Sequence, residues 1–259
     1  MIITETGRTS RKDAKYASLK SFLRLAYLAS LCEIRSLRLC VRLLYLPLVS
    51  TVVPPSGYFL ANRLGRILLD SLNDAVGQNG LNALLNLSDL GGYIAVPPPE
   101  DLTLAFDIAV VSSLLGVLEL VYGPRGARGL AIRTGRGLFG RLLEGFELPT
   151  GFNDLAFRLL PQQTRLKIGI PALARLLTQY GNMTCRVADR GQAFDFSVER
   201  CPDCWGRTSK GPVCNLTVGL LLEAMSHFGR GQEFRVTQTE CHAAGAALCV
   251  FRLDKEPIV

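Results

Sequence analysis

The feature that most constrains this chain is a group of cysteines near its C-terminal end. The chain has eight cysteines in 259 residues, and five of them fall within residues 201–249. The first two have the C-x2-C spacing, which lets two thiolates on one tight turn point at a common centre. The candidate metal ligands are Cys201, Cys204, Cys214, Cys241 and Cys249.

Four converging thiolates suit a tetrahedral zinc ion, and an iron–sulfur cluster uses the same donors. The spacing does not distinguish between these metals. It also does not show which four of the five cysteines bind. Structural disulfides would need an oxidising compartment, and we identify no convincing signal peptide. We therefore expect a zinc-binding cytoplasmic protein, with an iron–sulfur cluster as the alternative. Cys32, Cys40 and Cys185 are expected to be buried core residues.

The positive charge of the chain is concentrated at its N-terminal end. Residues 1–55 hold nine Lys/Arg and three Asp/Glu, whereas the remainder is almost balanced. We predict a basic, partly helical extension over residues 1–51 and a folded domain over residues 52–259. The near-neutral domain argues against a nucleic-acid surface. For the extension, three hypotheses stand: contact with an anionic membrane, packing on the domain or a second subunit, and a misassigned start codon.

The pattern of apolar residues predicts an α+β fold, in which helices pack on a mostly antiparallel sheet with the metal site at one end. A helix starting near Leu60 is expected to stop at Gly80, and another is expected over Leu102–Val121. A helix over Leu159–Tyr180 is expected to be interrupted near Pro171. The remaining predicted elements are a helix over Leu216–Phe228 and strands over Thr184–Ala188, Ala193–Val198, Glu233–Cys241 and Ala247–Leu253.

Two glycine-rich segments allow a functional interpretation. Residues 122–128 predict a loop whose arginines, Arg125 and Arg128, are either an anion contact or solvated turn residues; the second interpretation is favoured. A strand is then predicted over Gly129–Arg133. Gly135, Gly137 and Gly140 match G-x-G-x-x-G after that strand, but a match without the following strand and acidic residue is a weak dinucleotide signal.

The cysteine pattern resembles that of 4-vinyl reductase domains. The shared features are a cysteine before a Gly-containing helix (Cys214, Gly219), a polar turn ending in Cys241, and Cys249 in a final strand. The similarity extends upstream to about residue 52. It implies a fold related to small TRAPP tethering-complex subunits and to phenol-sensor domains. In those sensors three cysteines and a glutamate hold a structural zinc, and the glutamate position is Gln238 here, so Cys201 or Cys204 is expected to supply the fourth ligand.

Our first hypothesis is a non-enzymatic module that binds a small molecule between helices and sheet, because a closed all-thiolate zinc site is structural. The resemblance implies that this ligand is hydrophobic or aromatic. The alternative is a redox or accessory protein in the reduction of a tetrapyrrole vinyl group. No Ser/His/Asp or paired-carboxylate set can be argued from the spacing, so we expect no catalytic residues. The partners considered are the small ligand, a homodimer, and a membrane or protein contact through residues 1–51.

Overall fold

The computed structural model describes residues 53–146, 157 and 159–258. The predicted extension over residues 1–51 therefore lies outside the described residues, and the predicted domain boundary stays a prediction. The elements are β1 (Phe59–Ala61), α1 (Asn62–Leu87), α2 (Gly92–Ala95), β2 (Leu104–Asp107), α3 (Ile108–Gly145), α4 (Gln162–Gln179), β3 (Thr184–Asp189), β4 (Ala193–Glu199), α5 (Asn215–Phe228), β5 (Phe234–Glu240), a 3-10 turn (His242–Ala244) and β6 (Cys249–Pro257).

The main sheet has four strands in the order β3-β4-β6-β5, and every neighbouring pair is antiparallel. Alternation along β4 sends Phe194 and Phe196 to the core, where both are buried. Phe196 lies opposite Phe251 of β6, which is also buried, so one face of the sheet carries an aromatic layer. The predicted α+β fold with an antiparallel sheet is confirmed.

A second, two-stranded sheet pairs β1 with β2. Its strands are three and four residues long, and neither was predicted from the sequence. Asp107 at the end of β2 caps α3, because its side chain accepts a hydrogen bond of 2.7 Å from the backbone N–H of Ala109. The helix predicted from Leu102 therefore begins later, at Ile108.

Helices α3 and α5 approach so closely that their contact needs glycine on both sides. A Cβ atom on Gly135 would lie 2.0 Å from the carbonyl oxygen of Leu216. A Cβ atom on Gly219 would lie 2.1 Å from the carbonyl oxygen of Ile132. The predicted strand over residues 129–133 is wrong, because α3 is helical there. Helix packing therefore accounts for Gly135, and the strand that a dinucleotide fingerprint requires is missing.

Three predicted breaks fall inside helices. α1 runs on past Gly80, and its kink lies at Gly77, which has φ +74°. Residues 122–128 are part of α3 rather than a loop; the kink lies at Gly123, which has φ +72°, and the helix resumes at Pro124. Pro suits the first position of a helical turn because its missing N–H would have no partner there. α4 continues through Pro171 without a break.

α3 is also the one helix within the described residues that is long and apolar enough to cross a membrane. Of its most apolar window, 56% is buried against the rest of the protein, as in the core helix of a folded domain. Its buried residues contact both α1 and α5, so it forms the centre of the helical layer.

Candidate metal centre and ligand cavity

The five predicted ligands lie next to the ends of four different elements, at one end of the main sheet. Cys201 and Cys204 occupy the turn that follows β4, and Arg200 at its start adopts φ +58°. Cys214 precedes the first residue of α5, Cys241 follows β5, and Cys249 opens β6. All five side chains are buried, and none of the six cysteines in the described residues forms a disulfide.

Four of the five thiols converge on one point. The Sγ atoms of Cys201, Cys204, Cys214 and Cys249 all lie within 4.8 Å of one another. The Sγ–Sγ distance is 3.7 Å between Cys201 and Cys214. It is 3.5 Å between Cys204 and Cys249 and 3.6 Å between Cys214 and Cys249. A buried group of four thiols at these distances is compatible with binding one metal ion.

Cys241 stands at the edge of this group. Its Sγ atom lies 3.8 Å from that of Cys214, but it does not belong to the set of four that are mutually close. The resemblance pairs Cys241 with Cys214 and Cys249 as ligands, whereas here the C-x2-C pair, Cys201 and Cys204, completes the group of four. The structure therefore places all five cysteines in contact, but only four of them are mutually close, and Cys241 is the fifth.

The residue at the expected glutamate position, Gln238, supports the centre from outside. Its Oε1 atom accepts a hydrogen bond of 2.9 Å from the backbone N–H of Cys214. Its Nε2 atom donates to the carbonyl oxygen of Glu240 at 3.1 Å. The backbone N–H of His242 donates to Sγ of Cys249 at 3.4 Å, which favours the thiolate form of that cysteine. Sequence reasoning found Gln238 as a departure from the family pattern but missed this supporting role.

The thiols perturb one another's ionisation. The pKa of Cys249 is held far below its usual range, because the thiols of Cys201, Cys204 and Cys214 donate hydrogen bonds to it. Hydrogen bonding from Cys214 lowers the pKa of Cys241 to about 6. The pKa of Cys214 is raised, because it lies among the other four thiols. A metal ion would displace the protons that these thiols share, since thiolates are the ligating form.

Asp203 ties the C-x2-C turn to helix α5. Its carboxylate accepts two hydrogen bonds of 2.9 Å from Thr217, one from the backbone N–H and one from the hydroxyl. Thr217 lies in the first turn of α5, where backbone N–H groups have no partner within the helix, so Asp203 caps the helix from a distant segment. Burial raises the pKa of Asp203 to about 6. No local sequence pattern marks a cap supplied from so far away.

Residues at the start of the described chain cover the outside of this turn. Trp205 stacks edge-on against Tyr58, with ring centroids 5.3 Å apart. The guanidinium of Arg200 lies 4.9 Å from the centroid of the Tyr58 ring. A Cβ atom on Gly206 would lie 2.5 Å from a methyl group of Val53, so this glycine permits the close approach.

A cavity of about 60 Å³ lies next to the metal centre, between the helices and the inner face of the sheet. Pro202 and Asp203 of the C-x2-C turn form part of its wall together with Thr217. The rest of the wall is apolar apart from the thiol of Cys185, and it consists of Leu60, Leu64, Leu68, Val111, Leu138, Leu142, Leu177, Met183, Phe196, Val198, Leu216 and Leu220. Phe196 of β4 is the one aromatic residue among the described residues of this wall.

The rings of the two histidines take no part in the group of four thiols. His227 packs against the rings of Phe139 and Phe228, with centroid distances of 5.6 and 5.3 Å. The Nδ1 atom of His242 lies 3.0 Å from the carbonyl oxygen of Ala246. Neither histidine belongs to the group that could hold a metal within the described residues.

Comparison with known protein families finds a similarity at the C-terminal end of the chain. Residues 194–255 match the model of the 4-vinyl reductase domain, and this range contains all five clustered cysteines. These residues are therefore similar to that domain. The resemblance stated from the sequence is thereby confirmed for the strands, helix and cysteines around the metal centre. A search of curated proteins found no match to the chain.

Several solved structures superpose in part on this chain. One is an H-NOX protein from S. oneidensis, with 15% sequence identity over 75% of this chain and 95% of that chain, and a TM-score of 0.45. Another is the phenol-responsive sensory domain of the transcription activator PoxR with phenol. It shares 20% identity over 59% of this chain and 76% of that chain, with a TM-score of 0.40. Superpositions of this quality carry no information about the ligand or the activity of the protein.

Proposed function

We propose that this protein is a binding module for a small apolar molecule, with a structural zinc ion next to the binding cavity. The observation that carries the proposal is the shared wall: Pro202 and Asp203 border the cavity, and Cys201 and Cys204 flank them in the same turn. A metal that fixes this turn would also fix one end of the cavity. Ligand binding is the function, and the metal supports it.

The spacing of the thiols supports zinc. A tetrahedral ion with Zn–S bonds of about 2.3 Å separates its sulfur ligands by about 3.8 Å. Three of the six Sγ–Sγ distances within the group of four are 3.5–3.7 Å, close to that value, and all six are within 4.8 Å. In an iron–sulfur cluster the cysteines bind different iron atoms and stand farther apart, so a single ion fits better. Four protein thiolates leave no open position for water, so the proposed role of the zinc is structural.

The cavity restricts the size and the polarity of the ligand. Its volume of about 60 Å³ is smaller than the ~150 Å³ apolar cavity that accommodates benzene, so a ring must displace side chains of the wall. Met183 and the leucines of the wall can change rotamer to make this space. Asp203 and Thr217 are the polar exception in the wall, and they suit a ligand with one hydroxyl or amine donor.

The other partners remain proposals. A homodimer and a membrane or protein contact through residues 1–51 are kept from the sequence, as is cytoplasmic localisation, which suits thiolate ligands that must stay reduced. The redox or accessory role in reducing a tetrapyrrole vinyl group would require iron rather than zinc in the cysteine centre, or a partner that supplies electrons.

Two measurements test this proposal. Elemental analysis and a visible spectrum of anaerobically purified protein should give about one zinc per chain and no colour; iron with acid-labile sulfide would support the redox alternative instead. Phenol, used as a small probe with one donor, should raise the thermal midpoint of the protein. Anisole, which lacks the O–H donor, should raise it less, because Asp203 would lose its added hydrogen bond.

A pair of variants on α3 controls the ligand test. Val111→Phe adds a ring at the cavity wall, whereas Val121→Phe adds the same ring at a surface position that is 49% exposed. The effect of phenol should persist in Val121→Phe and disappear in Val111→Phe. If phenol raises the thermal midpoint equally in both variants, the cavity is not the binding site and the proposal fails.

A further inference from the structure

A groove lined by residues of both α3 and α5 has a different chemistry from the apolar cavity. Its volume is about 530 Å³, within the range of small-molecule sites. It lies between the middle of α3 on both sides of the kink, the segment leading into α5, and β5. We call it the arginine groove, and we define it by Arg125, Arg128 and Arg207 at its rim and by Leu118 and Val218 on its floor.

The kink in α3 places two of the arginines. Because the helix restarts at Pro124 after Gly123, Arg125 and Arg128 lie in its first turns. Residues three apart on a helix share a face, so both guanidinium groups can lie at the same edge of the groove. Both residues are exposed, and both border the groove. Segment 122–128, which the sequence suggested as an anion contact or a turn, is thus a helical start with two arginines beside a groove.

The charge of the groove is positive. Among the described residues that line it, Glu119 is the only acidic one. Its Oε2 atom lies 2.6 Å from a guanidinium nitrogen of Arg207, so these two charges largely offset each other. Arg207 is held further by its hydrogen bond to the carbonyl oxygen of Asp203 at 3.2 Å. The charges of Arg125 and Arg128 have no acidic counterpart in the lining of the groove.

The floor of the groove is apolar and well packed. Leu118 and Val218 are buried core residues of α3 and α5, and Ala127 and Ala131 continue the same surface. Val236 of β5 forms part of the opposite wall. A site with an apolar floor and a positive rim complements a molecule that has an anionic head and a hydrocarbon body.

We propose that the arginine groove binds a small organic anion, with its carboxylate or phosphate head at Arg125 and Arg128 and its apolar body on the floor formed by Leu118 and Val218. Guanidinium groups recognise both head groups through paired, charge-assisted hydrogen bonds. This site is separate from the cavity of the proposed function, because the lining residues of the two do not overlap. The protein would then carry two separate binding sites of different polarity.

Calorimetric titration of the full-length, metal-loaded protein tests this proposal. The probes are octanoate, octyl phosphate, inorganic phosphate and 1-octanol. Octanoate or octyl phosphate should bind, whereas octanol, which has the same tail without the charge, and phosphate, which has no tail, should bind at least about tenfold more weakly. Whichever of the two charged amphiphiles binds more tightly identifies the head group. If neither of them binds, the proposal is overturned.

Two double variants locate the binding. Arg125→Gln with Arg128→Gln removes the rim charges, and affinity for the charged amphiphile should fall at least about tenfold. Arg175→Gln with Arg186→Gln is the matched control, because it removes two exposed arginines elsewhere and changes the net charge equally. Equal losses in both would mean that binding follows net charge, and no loss in the first would mean another site; either result overturns the proposal.

The cavity variant separates the two sites. Val111→Phe, which fills the apolar cavity, should leave octanoate binding unchanged, since that residue does not line the groove. If Val111→Phe abolishes octanoate binding, the anion occupies the cavity and the groove proposal is wrong. Failure of the phenol test alone would leave the groove proposal standing.

Discussion

The two ends of helix α5 are held by different chemistry. At the N-terminal end, Cys214 lies among four other thiols whose packing suits a metal ion. At the C-terminal end, Phe228 packs edge-on against Phe139 and Phe157, with centroid distances of 6.0 and 6.2 Å. One end gathers groups that repel each other once ionised, and the other gathers aromatic rings that need only a matching shape.

This difference predicts how each end responds to change. Thiolates confined in a buried space repel one another and are poorly solvated, so the first end depends on a bound cation. The aromatic end depends on volume, because protein interiors are close-packed and tolerate little added bulk. Removing the metal with a chelator should therefore lower stability through the N-terminal end of α5 alone. An added methyl group should lower stability at the C-terminal end.

The largest effect is expected from Cys249→Ser. Cys249 contacts Cys204 and Cys214, and its loss leaves three of the four proposed ligands. Zinc binding in small structural sites supplies about 10 kcal/mol or more of folding free energy, so losing most of it should lower the unfolding midpoint sharply. Metal analysis should show much less than one zinc per chain, and a chelator should no longer affect stability.

Two further cysteines sharpen this experiment. Cys185→Ser is the control: Cys185 is a buried thiol outside the group of four, whose pKa burial raises to about 12. It should retain zinc despite some loss of stability. Cys241→Ser should also retain zinc, because Cys241 stands outside the mutually close set. If Cys241→Ser loses zinc as completely as Cys249→Ser does, then our choice of the four ligands is wrong.

An intermediate effect is expected from Gly169→Ala at the aromatic end. The new Cβ atom would lie 2.5 Å from ring atoms of Phe228, which is itself buried. Forcing extra bulk into a packed core costs about 1–3 kcal/mol. Chemical denaturation should reveal this loss, while the zinc content stays unchanged.

Gly140→Ala is the matched substitution in another helix. A Cβ atom at Gly140 would meet nothing within 4 Å, so this variant should gain about 0.5–1 kcal/mol from helix propensity. Equal stability of the two alanine variants would show that the aromatic end adapts to added volume, and the contrast between the two ends of α5 would then fail.

The sequence predicted the cysteine end well because its signals are local. The spacing of Cys201 and Cys204, the hairpin turn after Thr184–Asp189 and the apolar run of α5 each depend on neighbouring residues. The more distant cysteines, Cys214, Cys241 and Cys249, were picked out by their clustering in residues 201–249, and the family resemblance matched these three. The strands and helix that carry these residues were accordingly found within a few positions of their observed ends.

The missed features depend on contacts between distant segments. Gly123-Pro124 was predicted to lie in a loop, but a single residue at positive φ followed by Pro only kinks α3. The strand β1 is too short to show alternation and forms only because β2 lies beside it. The role of Asp203 as a cap on α5 requires the turn and the helix to be adjacent in space, which spacing along the chain does not reveal.

The smallest effect is expected at the opposite end of the sheet from the cysteines, where a third kind of contact closes the β3–β4 hairpin. The ammonium group of Lys255 contacts the carboxylate of Asp189, donates to the carbonyl oxygen of Gly191 at 2.8 Å and lies 4.2 Å from the centroid of the Phe194 ring. Hydrogen bonding from Lys255, aided by the backbone N–H of Gly191, holds the pKa of Asp189 below its usual range. Like the N-terminal end of α5, this contact involves charged groups, and like the C-terminal end it involves an aromatic ring.

Because the pKa of Asp189 is lower in the folded state, its stabilising contribution is complete above the unfolded-state value of about 3.9 and is lost as the pH falls through the lower folded-state value. Urea denaturation at about pH 6 and about pH 3 should therefore show a loss of stability in the wild type that is smaller in Asp189→Asn. Asp195→Asn removes the same charge from the same hairpin at a pair whose Arg190 is 64% exposed, and it should keep the wild-type loss. If Asp189→Asn and the wild type lose the same stability between these two conditions, the contact between Lys255 and Asp189 does not contribute to folding. Packing alone would then hold this end of the sheet.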